Sequence, residues 1–166
     1  MTEQCQRIVP FLTRYNSDFM LDRKFGRRLG REVGVMFDDF TSVSVLPDGN
    51  IAIAGRRIRR YTANGRLETI FAEVSETTEQ AAQKSDGKVI GCGSVGIGAP
   101  NRDVITSLYN PNGSLIGTDR IDIGSQDFCR EILSQTDGKF LAAGTATRSL
   151  GTLSDFFLVR YLNITP

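Results

Sequence analysis

Pro47-Asp48-Gly49-Asn50-Ile51-Ala52-Ile53-Ala54-Gly55 joins a turn dipeptide to an apolar run that ends in glycine. Ser85-Asp86-Gly87-Lys88-Val89-Ile90-Gly91-Cys92-Gly93 and Thr136-Asp137-Gly138-Lys139-Phe140-Leu141-Ala142-Ala143-Gly144 repeat the arrangement. In each Asp-Gly the aspartate can hydrogen-bond its own turn backbone, and the glycine accepts positive φ without a Cβ clash. An antiparallel pair is expected across each turn.

A second landmark alternates with the first. Tyr61-Thr62-Ala63-Asn64-Gly65-Arg66-Leu67 and Tyr109-Asn110-Pro111-Asn112-Gly113-Ser114-Leu115 have weaker copies at Tyr15-Asn16-Ser17-Asp18 and Tyr161-Leu162-Asn163. All four tyrosines occupy this position, and they recur 46, 48 and 52 residues apart. A period near fifty residues built from short alternating strands indicates a stacked β-repeat array. The reading is all-β: three four-stranded antiparallel β-propeller-like blades in one repeat domain, 1–166. An extra N-terminal strand at 7–15 precedes repeats at about 16–61, 62–109 and 110–161.

Within the first unit the strands are placed at Val33–Phe37, Ser42–Leu46, Ile51–Ala54 and Arg57–Tyr61. In the third they are placed at Arg120–Ile123, Cys129–Leu133, Phe140–Ala143 and Phe156–Tyr161. Glu73–Lys84 is the longest stretch with helical composition, but its apolar stripe is thin and the repeat calls for a strand there.

The chain has 166 residues, of which 40% are hydrophobic and 23% charged, with 20 Lys+Arg against 19 Asp+Glu. That composition excludes disorder, collagen and a helical membrane span. There is no histidine, which removes Ser-His-Asp and Cys-His catalysis, His-ligated metals and histidine pH switches. Cys5, Cys92 and Cys129 are widely spaced, without a CxxC pair, and read as free thiols. Three unpaired cysteines and the lack of a long apolar N-terminal run favour a cytoplasmic setting.

The order of these landmarks resembles the bacterial delta-60 repeat, a β-propeller-like module. Leu46-Pro47-Asp48-Gly49-Asn50-Ile51 with Ala54-Gly55, Ser154-Asp155-Phe156-Phe157-Leu158-Val159-Arg160-Tyr161, and Asn64-Gly65-Arg66-Leu67 with Phe71 carry the likeness. Leu108 in place of arginine, Gly117-Thr118 in place of Phe-Gly, and Ser85 and Thr136 in place of proline depart from it. The resemblance implies a propeller-like fold and exported bacterial proteins, and it supplies little chemistry.

Three blades are too few to close a propeller, and open β-edges are templates for pairing. The expected partner is therefore a second copy of the chain, forming a homo-oligomer that completes a ring. The expected function is a non-catalytic binding or scaffold module, with no cofactor and no metal. Two other readings compete with it. Arg27, Arg28 and Arg31, with Arg57 and Arg59, could form a patch for a protein or polyanion. Residues 1–70 hold 12 basic and 8 acidic groups and residues 71–166 hold 8 and 11, but no aromatics interleave the arginines, which argues against nucleic acid. A carbohydrate- or ester-acting hydrolase would need paired carboxylates, for which Asp38-Asp39, Asp119 with Asp122, and Asp127 are the candidates. Asp48, Gly49, Asp86, Gly87, Asp137, Gly138 and the repeat residues Tyr15, Tyr61, Tyr109 and Tyr161 are assigned structural roles. Arg14, Arg60 and Arg160 precede three of the tyrosines. Repetition at equivalent sites suits pairing with a carboxylate of the next blade better than catalysis.

Overall fold

A computed structural model of the chain describes residues 12–25, 40–71, 77–96, 101–147 and 153–162. Eleven strands form three antiparallel sheets, with no helix among the described residues. Sheet 1 contains β1 (Phe40–Val45), β2 (Ile51–Gly55), β3 (Arg59–Tyr61) and β4 (Leu67–Ile70), in that order. Sheet 2 contains β5 (Thr77–Gln83), β6 (Val89–Val95), β7 (Asp103–Tyr109) and β8 (Leu115–Ile121), again in sequence order. Sheet 3 contains β9 (Gln126–Ser134), β10 (Phe140–Thr147) and β11 (Ser154–Tyr161). The fold is the expected all-β array of propeller-like sheets, with four, four and three strands rather than four in each, and the sheets do not close into a barrel.

The Asp-Gly turns form as the sequence predicts. Asp48, Asp86 and Asp137 each accept a hydrogen bond at Oδ1 from the backbone N–H two residues on, at 3.0, 3.0 and 3.1 Å. Gly49, Gly87 and Gly138 hold φ near +80°, a region that costs a Cβ-bearing residue conformational energy. The tyrosines mark a second hairpin. Tyr61, Tyr109 and Tyr161 each end the third strand of a sheet. Gly65 and Gly113, at the following turns, also take positive φ.

Residues 12–25 continue the series backwards. Tyr15 pairs with Leu21 in an isolated antiparallel bridge, as Tyr61 pairs with Leu67 and Tyr109 with Leu115. Phe19, with φ of 62°, stands where the other two turns have glycine. The rest of the proposed extra strand, through residue 11, lies outside the described residues, as does Val33–Phe37.

The start of the third unit changes. Arg120–Ile123 was expected to open the third unit, but its first two residues end β8, where Ile121 pairs with Val104 in sheet 2. The tyrosine period sets the spacing of the array but not where one sheet stops, and the break between sheets falls at 122–125. Glu73–Lys84 contributes β5, in line with the repeat rather than with its composition.

Sheets 1 and 2 are each packed on both faces, because both faces of their second strands are buried and apolar, whereas sheet 3 is packed on one face. Ile51 and Ile53 of β2 pack toward the N-terminal segment with Tyr61 and Phe25. Ala52 and Ala54 face sheet 2, in a cluster with Ile58, Phe71, Ala81, Val89 and Tyr109. The other face of sheet 2 presents Ile90, Cys92, Val104 and Leu108 to Cys129, Ile132, Phe140, Ala142 and Tyr161 of sheet 3. Each large side chain buried in these seams contributes about 1.5–3 kcal/mol. Gly91 lets Ile58 approach, since a Cβ there would stand 2.7 Å from Ile58 Cδ1.

The expectation of three free cysteines is overturned. Cys92 of β6 and Cys129 of β9 form a disulfide between sheets 2 and 3. They are 37 residues apart in the chain and meet only because successive sheets stack, a contact that spacing does not encode. With Cys92 and Cys129 bonded, these two residues are no sign of a reducing compartment.

Candidate functional site

The arginines before the repeat tyrosines build a recurring junction. Arg60 donates from Nε to Glu68 Oε2 at 2.7 Å and from Nη2 to the Pro111 carbonyl at 2.9 Å. Glu68 lies on β4 of the same sheet, whereas Pro111 lies in the tyrosine turn of the next sheet. Arg14 repeats the pattern: it donates to Asp22 Oδ2 at 2.7 Å and, from Nη1, to the Ala63 carbonyl at 2.7 Å. The Arg14 hydrogen bond, aided by the Lys24 backbone N–H, holds the Asp22 carboxyl below the usual carboxylate range. Each guanidinium also lies over an aromatic ring, Phe25 for Arg14 and Phe71 for Arg60. The carboxylate partner thus lies across the arginine's own tyrosine hairpin, on the same sheet for Arg60, rather than on the next blade. What crosses to the next blade is a hydrogen bond to the backbone carbonyl two residues after the next tyrosine.

Arg160 occupies the same position on β11, where it is exposed. It stands opposite Leu141, which in turn stands opposite Leu133. The equivalent rows are Ser44-Ala52-Arg60 in sheet 1 and Ala82-Ile90-Leu108 in sheet 2. Both of those rows lie on the face that meets the following sheet. Three residues before the tyrosine, Ile58 is 1% and Thr106 0% exposed, but Leu158 is 65% exposed. Five residues before it, Val104 is buried and Phe156 is 88% exposed. No described residue covers this outer face of sheet 3. At the opposite end of the array Tyr15 is 61% exposed, although Tyr61, Tyr109 and Tyr161 are buried against the preceding repeat. Burial pushes the Tyr109 and Tyr161 phenols up to about 12.

The proposed basic patch is only partly within view. Arg27, Arg28 and Arg31 lie outside the described residues. Arg57 is exposed, but Arg59 is buried, so these two do not share a solvent face. Of the candidate carboxylates, Asp38 and Asp39 lie outside the described residues. Asp122 and Asp127 come together with Asp103, and Asp119 is not a member of that group. Asp103 was not singled out in the sequence, since only the pairing of β7 with β8 brings it there.

A groove of about 410 Å³ runs between the hairpin turns of sheets 1 and 2, lined by Pro47, Asp48, Gln83, Lys84, Ser85, Asp86 and Gly87. For Asp86, partial burial pushes the carboxyl up, but hydrogen bonds from Lys88 and the charges of Lys88 and Lys84 outweigh it and hold it below the usual range. A glycosidase general acid requires the opposite shift. Among the described residues no helix is long and apolar enough to cross a membrane.

Residues 135–163 match the family model for a domain of unknown function (DUF5122) beta-propeller. The match spans the third Asp-Gly turn, β10, β11 and the last repeat tyrosine. None of the curated proteins matches the chain. The chain is therefore β-propeller-like in fold and carries one segment similar to a recognised propeller repeat.

Proposed function

We propose that the protein is a non-catalytic scaffold whose copies associate head to tail, each adding blades to a growing ring. The observation that carries this reading is the outer face of sheet 3. Leu133, Leu141, Leu158 and Arg160 reproduce there the face by which sheets 1 and 2 bind their successors. The occupant is the N-terminal end of a second copy. Tyr15 would enter the seam as Tyr109 enters the seam below sheet 1, and Arg160 would reach the Ser17 carbonyl, the equivalent of Ala63 and Pro111. Phe19 supports the same assignment, because an exposed phenylalanine kept at positive φ is strained and gains by contact with a partner. Such an interface uses different patches on the two copies, so it closes into a ring or runs on as a filament. The resemblance to delta-60 repeats agrees with this propeller role.

Disulfide trapping tests the orientation. In a Cys5→Ser background, Tyr15→Cys and Leu158→Cys variants are mixed and oxidised. Head-to-tail packing predicts a crosslinked heterodimer of the two variants. Crosslinks confined to like variants, Leu158→Cys with itself, would contradict it.

A further inference from the structure

We propose that Asp103, Asp122 and Asp127 bind a divalent cation of the Ca²⁺ class at the seam between sheets 2 and 3, whether or not the chain self-associates. Asp103 opens β7, Asp122 follows β8, and Asp127 is the second residue of β9. The pairing of Val104 with Ile121 sets the first two side by side. A parallel bridge from Arg102 to Gln126, with Arg102 N–H donating to Ser125 O and Asp127 N–H to Arg102 O, brings β9 against them. Each of the three offers a carboxylate oxygen, and these oxygens lie within 4.8 Å of one another. Oxygen ligands around Ca²⁺, at about 2.3–2.6 Å from the ion, span up to about 5 Å.

A second observation points to a ligand. Asp103 is 1% and Asp127 0% exposed, yet Oδ1 of each receives no hydrogen bond from the described residues. Their other oxygens are engaged: Asp127 Oδ2 accepts the Ile123 and Gly124 N–H groups at 2.7 and 3.2 Å, and Asp103 Oδ2 is held by Arg120. Buried carboxylate oxygens without a donor carry a desolvation cost that a cation removes. An all-oxygen donor set selects a hard divalent ion over zinc or copper. Asn101, whose amide lies 3.5 Å from Asp122 Oδ2, borders the site.

The nearby cations are Arg102, already bound to Glu79 at 3.1 Å, and Arg120. The Arg120 side chain is 63% exposed, so it can leave Asp103 when a metal ion arrives. The cation and Arg120 therefore compete for one carboxylate. The bound ion would tie the end of sheet 2 to the first strand of sheet 3, across the seam that the disulfide spans.

The test is calorimetric titration of CaCl₂ into the chelator-treated 166-residue chain, with thermal unfolding alongside. We expect one site per chain and a rise in Tm of roughly 5 °C when Ca²⁺ exceeds Kd about a hundredfold. Asp122 is exposed, so Asp122→Asn keeps the fold and weakens binding about tenfold or more. Arg120→Gln removes the competing charge and tightens Ca²⁺ binding several-fold. No heat and no shift in Tm up to about 10 mM CaCl₂, or equal binding by all three proteins, would overturn the assignment.

Discussion

The seams on the two sides of sheet 2 do the same work with different chemistry. Between sheets 1 and 2, Arg60 spans from Glu68 to the Pro111 carbonyl above a cluster containing Ile58, Phe71, Val89 and Tyr109. Between sheets 2 and 3 the equivalent residue is Leu108, which is buried and donates nothing from its side chain. There the Cys92–Cys129 disulfide crosses instead, with the three aspartates at the strand ends. One repeat slot can thus be secured by a charge-assisted clasp or by a covalent bond beneath a leucine. The outer face of sheet 3 returns to arginine at Arg160, which is exposed.

The largest break in this comparison should come from Phe71→Ala, which empties the first seam and removes the ring beneath Arg60. We expect a loss of about 4–5 kcal/mol in urea unfolding. Next, Cys92→Ala with Cys129→Ala should cost about 3–4 kcal/mol, as loop-entropy reasoning gives for the 37-residue separation. Reductant should reproduce that loss in the parent and have no further effect in the variant. Arg60→Leu makes the first seam resemble the second without its disulfide and should cost about 1–2 kcal/mol, given partial exposure of the pair. A loss near that of the disulfide variant would mean that the clasp matters more than the geometry implies.

Two pH tests sharpen the picture. The Tyr109 and Tyr161 phenols, one in each seam, have folded-state values raised to about 12 by burial. Because the fold favours the neutral phenol, their contribution is complete below about pH 10, and is lost as pH rises through 10 toward 12. Urea midpoints should fall across that range in the parent and less steeply in Tyr161→Phe. The smallest effect concerns Asp137, held below its ordinary value of 3.8 by the Lys139 side chain and backbone. Its contribution is present above that value and disappears as pH falls below it, so Asp137→Asn should slightly flatten the acid limb of the stability curve.

Much of this architecture is written in short-range chemistry. An Asp-Gly turn carries its own hydrogen bond and its own φ preference, so Asp48, Asp86 and Asp137 could be placed without any knowledge of the fold. Tyr61 and Tyr109 were equally legible, because each ends a strand before a turn that holds Asn and Gly. What was not legible depends on contacts between repeats. Arg120–Ile123 alternates like a new strand, but pairing with β7 assigns it to the old sheet. Cys92 and Cys129 meet only through stacking. Asp103 joins Asp122 and Asp127 only once strand register is fixed, and the Pro111 carbonyl that Arg60 seeks has no side-chain signature at all.

Sedimentation equilibrium of the parent chain over a wide concentration range addresses head-to-tail association most directly. Head-to-tail association predicts a mass that rises above that of one chain with concentration, and Leu158→Glu held at the mass of one chain while keeping the parent's thermal unfolding curve. A parent that stays at one chain's mass at every concentration would contradict it.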